Sequence, residues 1–132
     1  MKTWEEIKTW KKKENGWMIE PESGKEYCYI GARSEIGAGS EIGAWSKIGE
    51  RSKIGAFVSI PIYKSAGYSM HWHSIGHIRS GCIVKPFAWW KENILRCAEE
   101  HNYTEHQQRL YQFFVDQIIA WEEAMGNLLG TV

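Results

Sequence analysis

Isoleucine recurs at every sixth position in the run IGARSEIGAGSEIGAWSKIGERSKIGAFVSIPIYKS, residues 30–65. Each of its six hexads begins with Ile, the second position is Gly in five of them, and the fifth is Ser in the first four. A helix repeats about every 3.6 residues, so this period does not fit one. It fits strands, whose side chains alternate with period two, provided that the chain turns once in every hexad. A large and a small residue then point inward beside a bend at glycine.

The run resembles the hexapeptide repeat of left-handed β-helices, as in the hexapeptide acyltransferase family, and it covers 36 of the 132 residues. In that family three hexads, roughly eighteen residues, make one triangular coil, and the coils stack. The resemblance implies an α+β protein with a short left-handed parallel β-helix of about two coils, assembled as a homotrimer. At roughly 4.8 Å per layer, such a prism is only about 10 Å tall. Its open edges need cover from the flanking segments, from other subunits, or from both.

Four segments follow from these patterns: an N-terminal capping helix at 1–16, the hexapeptide β-helix at 17–66, irregular strands at 67–87 and a helical region at 88–132. Thr3-Trp4-Glu5-Glu6 and Thr104-Glu105-His106-Gln107 both read as capping boxes that start helices. A further helix is predicted from Phe87 to Glu100.

The last predicted helix carries an apolar seam, which favours either self-association or packing on the prism of the same chain. The residues of the seam are Leu110, Phe114, Ile118, Trp121, Met125 and Leu128.

The segment IRSGCIVKPFAWWKENILRCAEEHNYTE resembles the tail of a group of small tailed-bacteriophage proteins of unknown function. The residues that carry this resemblance are Ile78, Gly81, Cys82, Trp90, Tyr103, Thr104 and Glu105. It implies a viral origin, with no activity attached.

Composition excludes several classes of partner. Sixteen basic and sixteen acidic residues give zero formal net charge, which argues against a nucleic acid polymer as partner. No apolar run approaches the ~20 residues of a membrane span, and no secretory signal is recognisable, so we expect no membrane partner. Three cysteines without framework spacing indicate a reduced cytoplasmic protein, in the host cytoplasm if it is viral. Eight Trp indicate subunit contacts, a stacking site or the filling of a thin core.

Residues eighteen apart should stack in adjacent coils, and position four of the hexads then sets Arg33 beside Arg51, Gly39 beside Phe57 and Trp45 beside Tyr63. Paired guanidinium groups favour an anion between them. Aromatic rings can stack a base, at about 1–3 kcal/mol per base. In a trimer, neighbouring faces would form three equivalent clefts. The candidate ligand-binding residues are Arg33, Arg51, Trp45, Phe57, Tyr63, His71 and His73.

These residues also have plainer interpretations. The aromatic side chains can be buried in a subunit interface without any ligand. The arginines can form salt bridges with Glu35, Glu50 or a neighbouring subunit.

His71, His73 and His77 form a second cluster. In hexapeptide acyltransferases a histidine beside the prism acts as general base and acyl-CoA lies along the subunit junction, a role that suits the pKa of imidazole. Those enzymes use more coils than this chain offers, so we favour a protein without catalysis. With Cys82 the histidines have donor types suited to zinc, but their spacing matches no zinc motif. We predict neither a metal nor a cofactor.

The sequence therefore favours a non-catalytic trimer that binds a small anionic ligand such as a cyclic nucleotide. In a phage, such a protein would be an anti-defence sponge that sequesters a cyclic nucleotide immune messenger. The alternatives are a structural or protein-binding trimer and an acyl-CoA-dependent acyltransferase. Whether two trimers join end to end is left open.

Overall fold

Short strands occupy the hexad segment, and two long helices occupy the C-terminal part of the protein. A computed structural model describes residues 1–132, with mixed α and β structure. The elements are β1 Lys2–Thr3, α1 Trp4–Ile7, β2 Lys11–Lys12, β3 Trp17–Ile19, β4 Glu26–Ile30, β5 Glu35–Ile36, β6 Glu41–Ile42, β7 Lys47–Ile48, β8 Ser52–Ile54, β9 Ile62–Tyr63, β10 Met70–Ser74, β11 His77–Ser80, β12 Ile83–Pro86, α2 Phe87–Glu100, α3 Glu105–Met125 and β13 Leu129–Thr131.

The chain forms two compact units. The first comprises Met1–Ile60, His73–Ile75 and Gly126–Val132, and the second comprises Pro61–Trp72 and Gly76–Met125.

In the first unit the hexads pair in parallel at a constant offset of eighteen residues. Ile30 lies opposite Ile48 and Ile36 opposite Ile54, and a parallel bridge joins Glu41 to Ser59. Ile42, Ile48 and Ile60 are fully buried, as an inward Ile should be, whereas Ile36 is half-buried. This is the register expected of stacked coils. The handedness of the coils and the homotrimer remain predictions.

Glycine at position two of the hexad lets adjacent coils approach closely. A β-carbon on Gly37 would lie 2.4 Å from the backbone nitrogen of Ala56, closer than any atom can come without moving that backbone. Serine at position five satisfies backbone carbonyls: the hydroxyl of Ser40 donates to the carbonyl of Gly55 at 2.9 Å. Both recurring small residues of the repeat therefore have a structural purpose.

The flanking segments pair with the edges of the hexad strands, which confirms that they take part in covering those edges. Strand β1 pairs antiparallel with β6, β3 with β4, and β13 with β8. Strands β2 and β3 form a hairpin that extends the sheet of β4 and β7. Residues 17–29, placed in the β-helix by the sequence, thus belong largely to this antiparallel extension.

The predicted N-terminal helix is wrong in extent, because α1 has only four residues rather than reaching Gly16. The Thr3 side chain makes no capping hydrogen bond. Instead, Lys2 and Thr3 pair with β6, and the backbone N–H of Trp4 donates to the carbonyl of Ser40 at 2.7 Å. This bond satisfies one of the unpaired N–H groups at the start of α1, although not the N–H of Glu5 or Glu6 that a capping Thr3 side chain would have bonded.

The second unit contains β9, β11, β12 and residues 70–72 of β10, which form a sheet in the order β12-β11-β10-β9, and the helices α2 and α3, which pack against each other. Helix α2 spans the predicted range. The second capping box is confirmed: the Thr104 N–H donates to Oε1 of Gln107 at 2.9 Å, and the Gln107 N–H donates to Oγ1 of Thr104 at 3.2 Å.

The predicted apolar seam lies partly in the core of the second unit, where α3 buries Tyr111, Phe114, Val115 and Ile118. The helix ends at Met125, and Leu128 lies beyond it in a short 3-10 turn at Gly126–Leu128. Self-association of the helix stays a prediction. No helix of the protein combines the length and the apolar character that a membrane crossing requires.

Candidate functional site

The candidate site begins at position four of the hexads, where the backbone turns a corner. Arg33, Trp45, Arg51 and Phe57 have φ angles of 62°, 68°, 57° and 57°, in the left-handed region that non-glycine residues rarely adopt. Side chains at such corners project away from the strands on either side. Trp45 is 60 % exposed and Phe57 is 82 % exposed, which is unusual for aromatic side chains of this size.

Arg33 and Arg51 both lie at position four of hexads that are eighteen residues apart, and their surroundings differ. The N–H of Arg51 donates to the carbonyl of Ala32 at 2.9 Å, which joins the two corners. The guanidinium of Arg51 donates to the backbone oxygen of Val132 from Nε at 3.3 Å and from Nη2 at 3.2 Å. Arg33 is exposed. Arg51 is exposed as well, and it differs from Arg33 in that its guanidinium has a backbone partner.

Only one of the two aromatic pairs predicted from the eighteen-residue offset forms. Phe57 does contact Gly39, its predicted neighbour. Trp45 packs edge-on against Trp17, with 5.8 Å between ring centroids. Tyr63 belongs to β9 in the second unit and stacks on Phe114, at 5.0 Å between centroids and 9° between ring planes.

Tyr63 departs from the hexad pattern because the repeat breaks after Ile60. Pro61 occupies the glycine position, and the following strand pairs antiparallel with β10, with Tyr63 opposite Met70.

The three histidines are divided between the two units. His71 is only 2 % exposed and lies opposite Ile62 in the second unit, where His77 lies opposite Pro86 at the start of β11. His73 belongs to the first unit, and a β-carbon on Gly49 would come 2.5 Å from its ring. His73 Nδ1 lies 3.1 Å from the hydroxyl of Ser74. No group of three or more His, Cys, Asp or Glu side chains is arranged to hold a metal ion.

The second unit contains a cavity that the sequence did not predict. It has a volume of about 120 Å³ and is lined largely by aromatic and aliphatic side chains. Burial raises the pKa values of two lining groups, the Cys97 thiol and the Tyr103 hydroxyl. The signal that could have found it is the tail resemblance, because Gly81, Cys82, Trp90 and Tyr103 all line this cavity.

Comparison with known proteins identifies one segment of the chain. Residues 27–61 match the family model described as bacterial transferase hexapeptide (six repeats). This confirms the hexapeptide-repeat prediction and defines the class of repeat to which the segment belongs. No curated protein and no solved structure matches the chain.

Proposed function

We propose that the protein is a non-catalytic homotrimer that binds a small anionic ligand, such as a cyclic nucleotide, in clefts between neighbouring copies. The observation that carries this proposal is the exposure of Arg33, Trp45 and Phe57 at hexad corners. Proteins with hexapeptide repeats often form trimers, which is consistent with this assembly.

Two types of side chain needed by such a ligand are present at the corners. The exposed guanidinium of Arg33 suits a phosphate, with which it can form two parallel hydrogen bonds. Phe57 and Trp45 each offer an exposed ring on which a base can stack. Because Arg33, Trp45 and the Gly39–Phe57 pair lie at the corners of successive hexads, one copy does not bring all of them to a single ligand. A second copy supplies the missing group.

The absence of catalysis is favoured by the placement of the histidines. His71 is almost fully buried and His73 packs on Gly49, so neither resembles a base facing an open substrate groove. His77, the third candidate, is half-buried at the start of β11. In a tailed phage, a protein of this kind would act as a sponge that removes a cyclic nucleotide immune messenger from the host cytoplasm. The resemblance of residues 78–105 to phage proteins supports that setting.

The test is equilibrium binding of a panel of cyclic dinucleotides and trinucleotides to the full chain, with light scattering to establish its oligomeric state. A trimer that binds one of them and releases it unaltered is the expected result. Arg33→Gln should weaken binding by about tenfold or more, since hydrogen bonds to charged groups contribute roughly 1.5–3 kcal/mol. The control is Arg109→Gln, an exposed arginine paired only with Glu105 on α3, which should bind like the wild type.

Three outcomes would overturn the proposal. A monomer at micromolar concentration would remove the cleft between copies. A trimer that binds none of the nucleotides would favour a structural or protein-binding trimer. Steady turnover of an acyl-CoA would favour the acyltransferase.

A further inference from the structure

The cavity of the second unit lies between the β11–β12 turn, helix α2 and the segment that joins α2 to α3. Five rings contribute to its wall, those of Tyr68, Trp90, His101, Tyr103 and Tyr111. No Asp, Glu, Lys or Arg side chain lines it. Its volume is about 120 Å³, and it opens to solvent on one side, where Tyr68, Cys82 and His101 are exposed.

Hydrogen bonds to the backbone hold three of these rings in place. The hydroxyl of Tyr103 accepts from the N–H of Tyr68 at 3.2 Å, and the hydroxyl of Tyr111 accepts from the N–H of Ala66 at 3.1 Å. The indole N–H of Trp90 donates to the carbonyl of Ile78 at 2.8 Å. Since the polar atoms of Tyr103, Tyr111 and Trp90 already have partners, these three rings offer mainly apolar surface to an occupant.

His101 supplies a remaining acceptor. Its Nδ1 lies 2.8 Å from the backbone carbonyl of Cys97, and a carbonyl can only accept. Nδ1 therefore carries the proton, and Nε2 of the neutral ring is an acceptor. The cavity thus combines aromatic walls with an acceptor on the exposed ring of His101, and no Asp, Glu, Lys or Arg side chain lines it.

We propose that this cavity binds a neutral, single-ring aromatic compound that carries one hydroxyl or N–H donor, the class represented by phenol. An enclosed apolar cavity of roughly 150 Å³ holds benzene. This one is smaller, at about 120 Å³, but it is open on one side, so that part of a single-ring ligand can project from it. The rings of the wall suit edge-to-face and stacked contacts with a second ring. A charged ligand is disfavoured, since it would lose part of its hydration against a lining that has no Asp, Glu, Lys or Arg to pair with it. This site lies wholly in the second unit and does not depend on the corner residues Arg33, Trp45 and Phe57.

The experiment is a titration of phenol into the full chain, followed through methyl chemical shifts. Saturable shifts are expected at Ile94 and Ala98, which line the cavity, with none at Ile42, a fully buried residue of the first unit. Benzene should bind about 2- to 10-fold more weakly because it lacks the donor. Benzoate at the same concentration should cause no saturable shift.

Two variants test the assignment. Ala98→Leu places extra carbon atoms in the cavity and should abolish the phenol shifts while the circular dichroism spectrum stays that of the wild type. His101→Leu should reduce the affinity for phenol to that for benzene. If Ala98→Leu does not fold, the titrations of the wild type with phenol, benzene and benzoate still test the proposal. Unsaturable shifts, equal shifts at Ile42, or benzoate binding as tight as phenol would each overturn the proposal.

Discussion

The ring of Phe57 lies against Gly39, the residue eighteen positions earlier in the hexad repeat. A β-carbon on Gly39 would come 2.3 Å from Cδ1 of Phe57. Gly39 has a φ of 76°, but four other corners of the repeat hold non-glycine residues at similar angles. The backbone conformation alone therefore does not demand glycine at this corner. Glycine is needed here because the ring of Phe57 occupies the space that a β-carbon would take.

Gly39→Ala should lower the free energy of unfolding by about 1–2 kcal/mol, through strain at positive φ and displacement of the ring. In a Phe57→Ala background the same substitution should cost less, because only the backbone contribution remains. Urea denaturation of the four proteins in this double-mutant cycle measures the coupling, which we expect to be about 0.5–1 kcal/mol. A coupling of zero would show that Phe57 does not constrain residue 39.

The two threonines that begin capping-box sequences should differ in their effect on stability. Thr104→Ala removes the side-chain oxygen that accepts from the N–H of Gln107, and it should cost about 0.5–2 kcal/mol. Thr3→Ala is the matched control, because the Thr3 side chain caps nothing, and it should cost less than about 0.5 kcal/mol. Chemical denaturation measures both free energies of unfolding. Equal losses in the two variants would contradict the finding that the Thr3 side chain does not cap α1.

The predictable parts of the fold are those in which nearby residues or the repeat itself determine the structure. The hexads share one residue pattern, so the parallel register of Ile30 with Ile48 follows from the sequence alone. The Thr104 box succeeds because its partners lie within one turn. The Thr3 box follows the same pattern, with Glu6 at the position of Gln107, but its segment pairs with a strand edge about forty residues away. A local pattern cannot reveal such a competitor.

The candidate site was less predictable for the same reason. The position of Arg51 could be derived from the repeat, but its partner Val132 is 81 residues away. The cavity draws Tyr68, Cys82, Trp90 and Tyr103 from separate segments, and no periodicity connects them. Only the resemblance of the tail placed three of these four in one motif.

Cys28 should make the protein sensitive to alkaline pH. Burial raises the pKa of its thiol from 9.0 to about 12, and the side chain is fully buried. Between these values the unfolded chain loses the proton before the folded protein does. The stabilisation is therefore complete below pH 9 and is lost as the pH rises toward 12, by up to about 1.4 kcal/mol per pH unit.

The matched variant is Cys28→Ser, which installs the residue that the first four hexads carry at the equivalent position. Its free energy of unfolding should fall less steeply than that of the wild type from pH 9 to pH 11, while both are compared with their own values at pH 7. Other groups with raised pKa values, such as Tyr27, titrate in both proteins and largely cancel. Parallel pH profiles would show that the thiol does not govern alkaline stability.

Strand β13 should be essential to the stability of the hexad strands next to it. Leu129 is 6 % exposed and lies opposite Ile54, whereas its neighbour Leu128 is 44 % exposed. Leu129→Ala should cost about 2–4 kcal/mol through loss of buried apolar contact, and Leu128→Ala should cost clearly less. The N–H of Gly55 donates to the carbonyl of Leu128 at 2.6 Å, so its hydrogen exchange should accelerate in Leu129→Ala. Equal costs for the two leucines, or unchanged exchange at Gly55, would mean that the edge of β8 is stable without this cover.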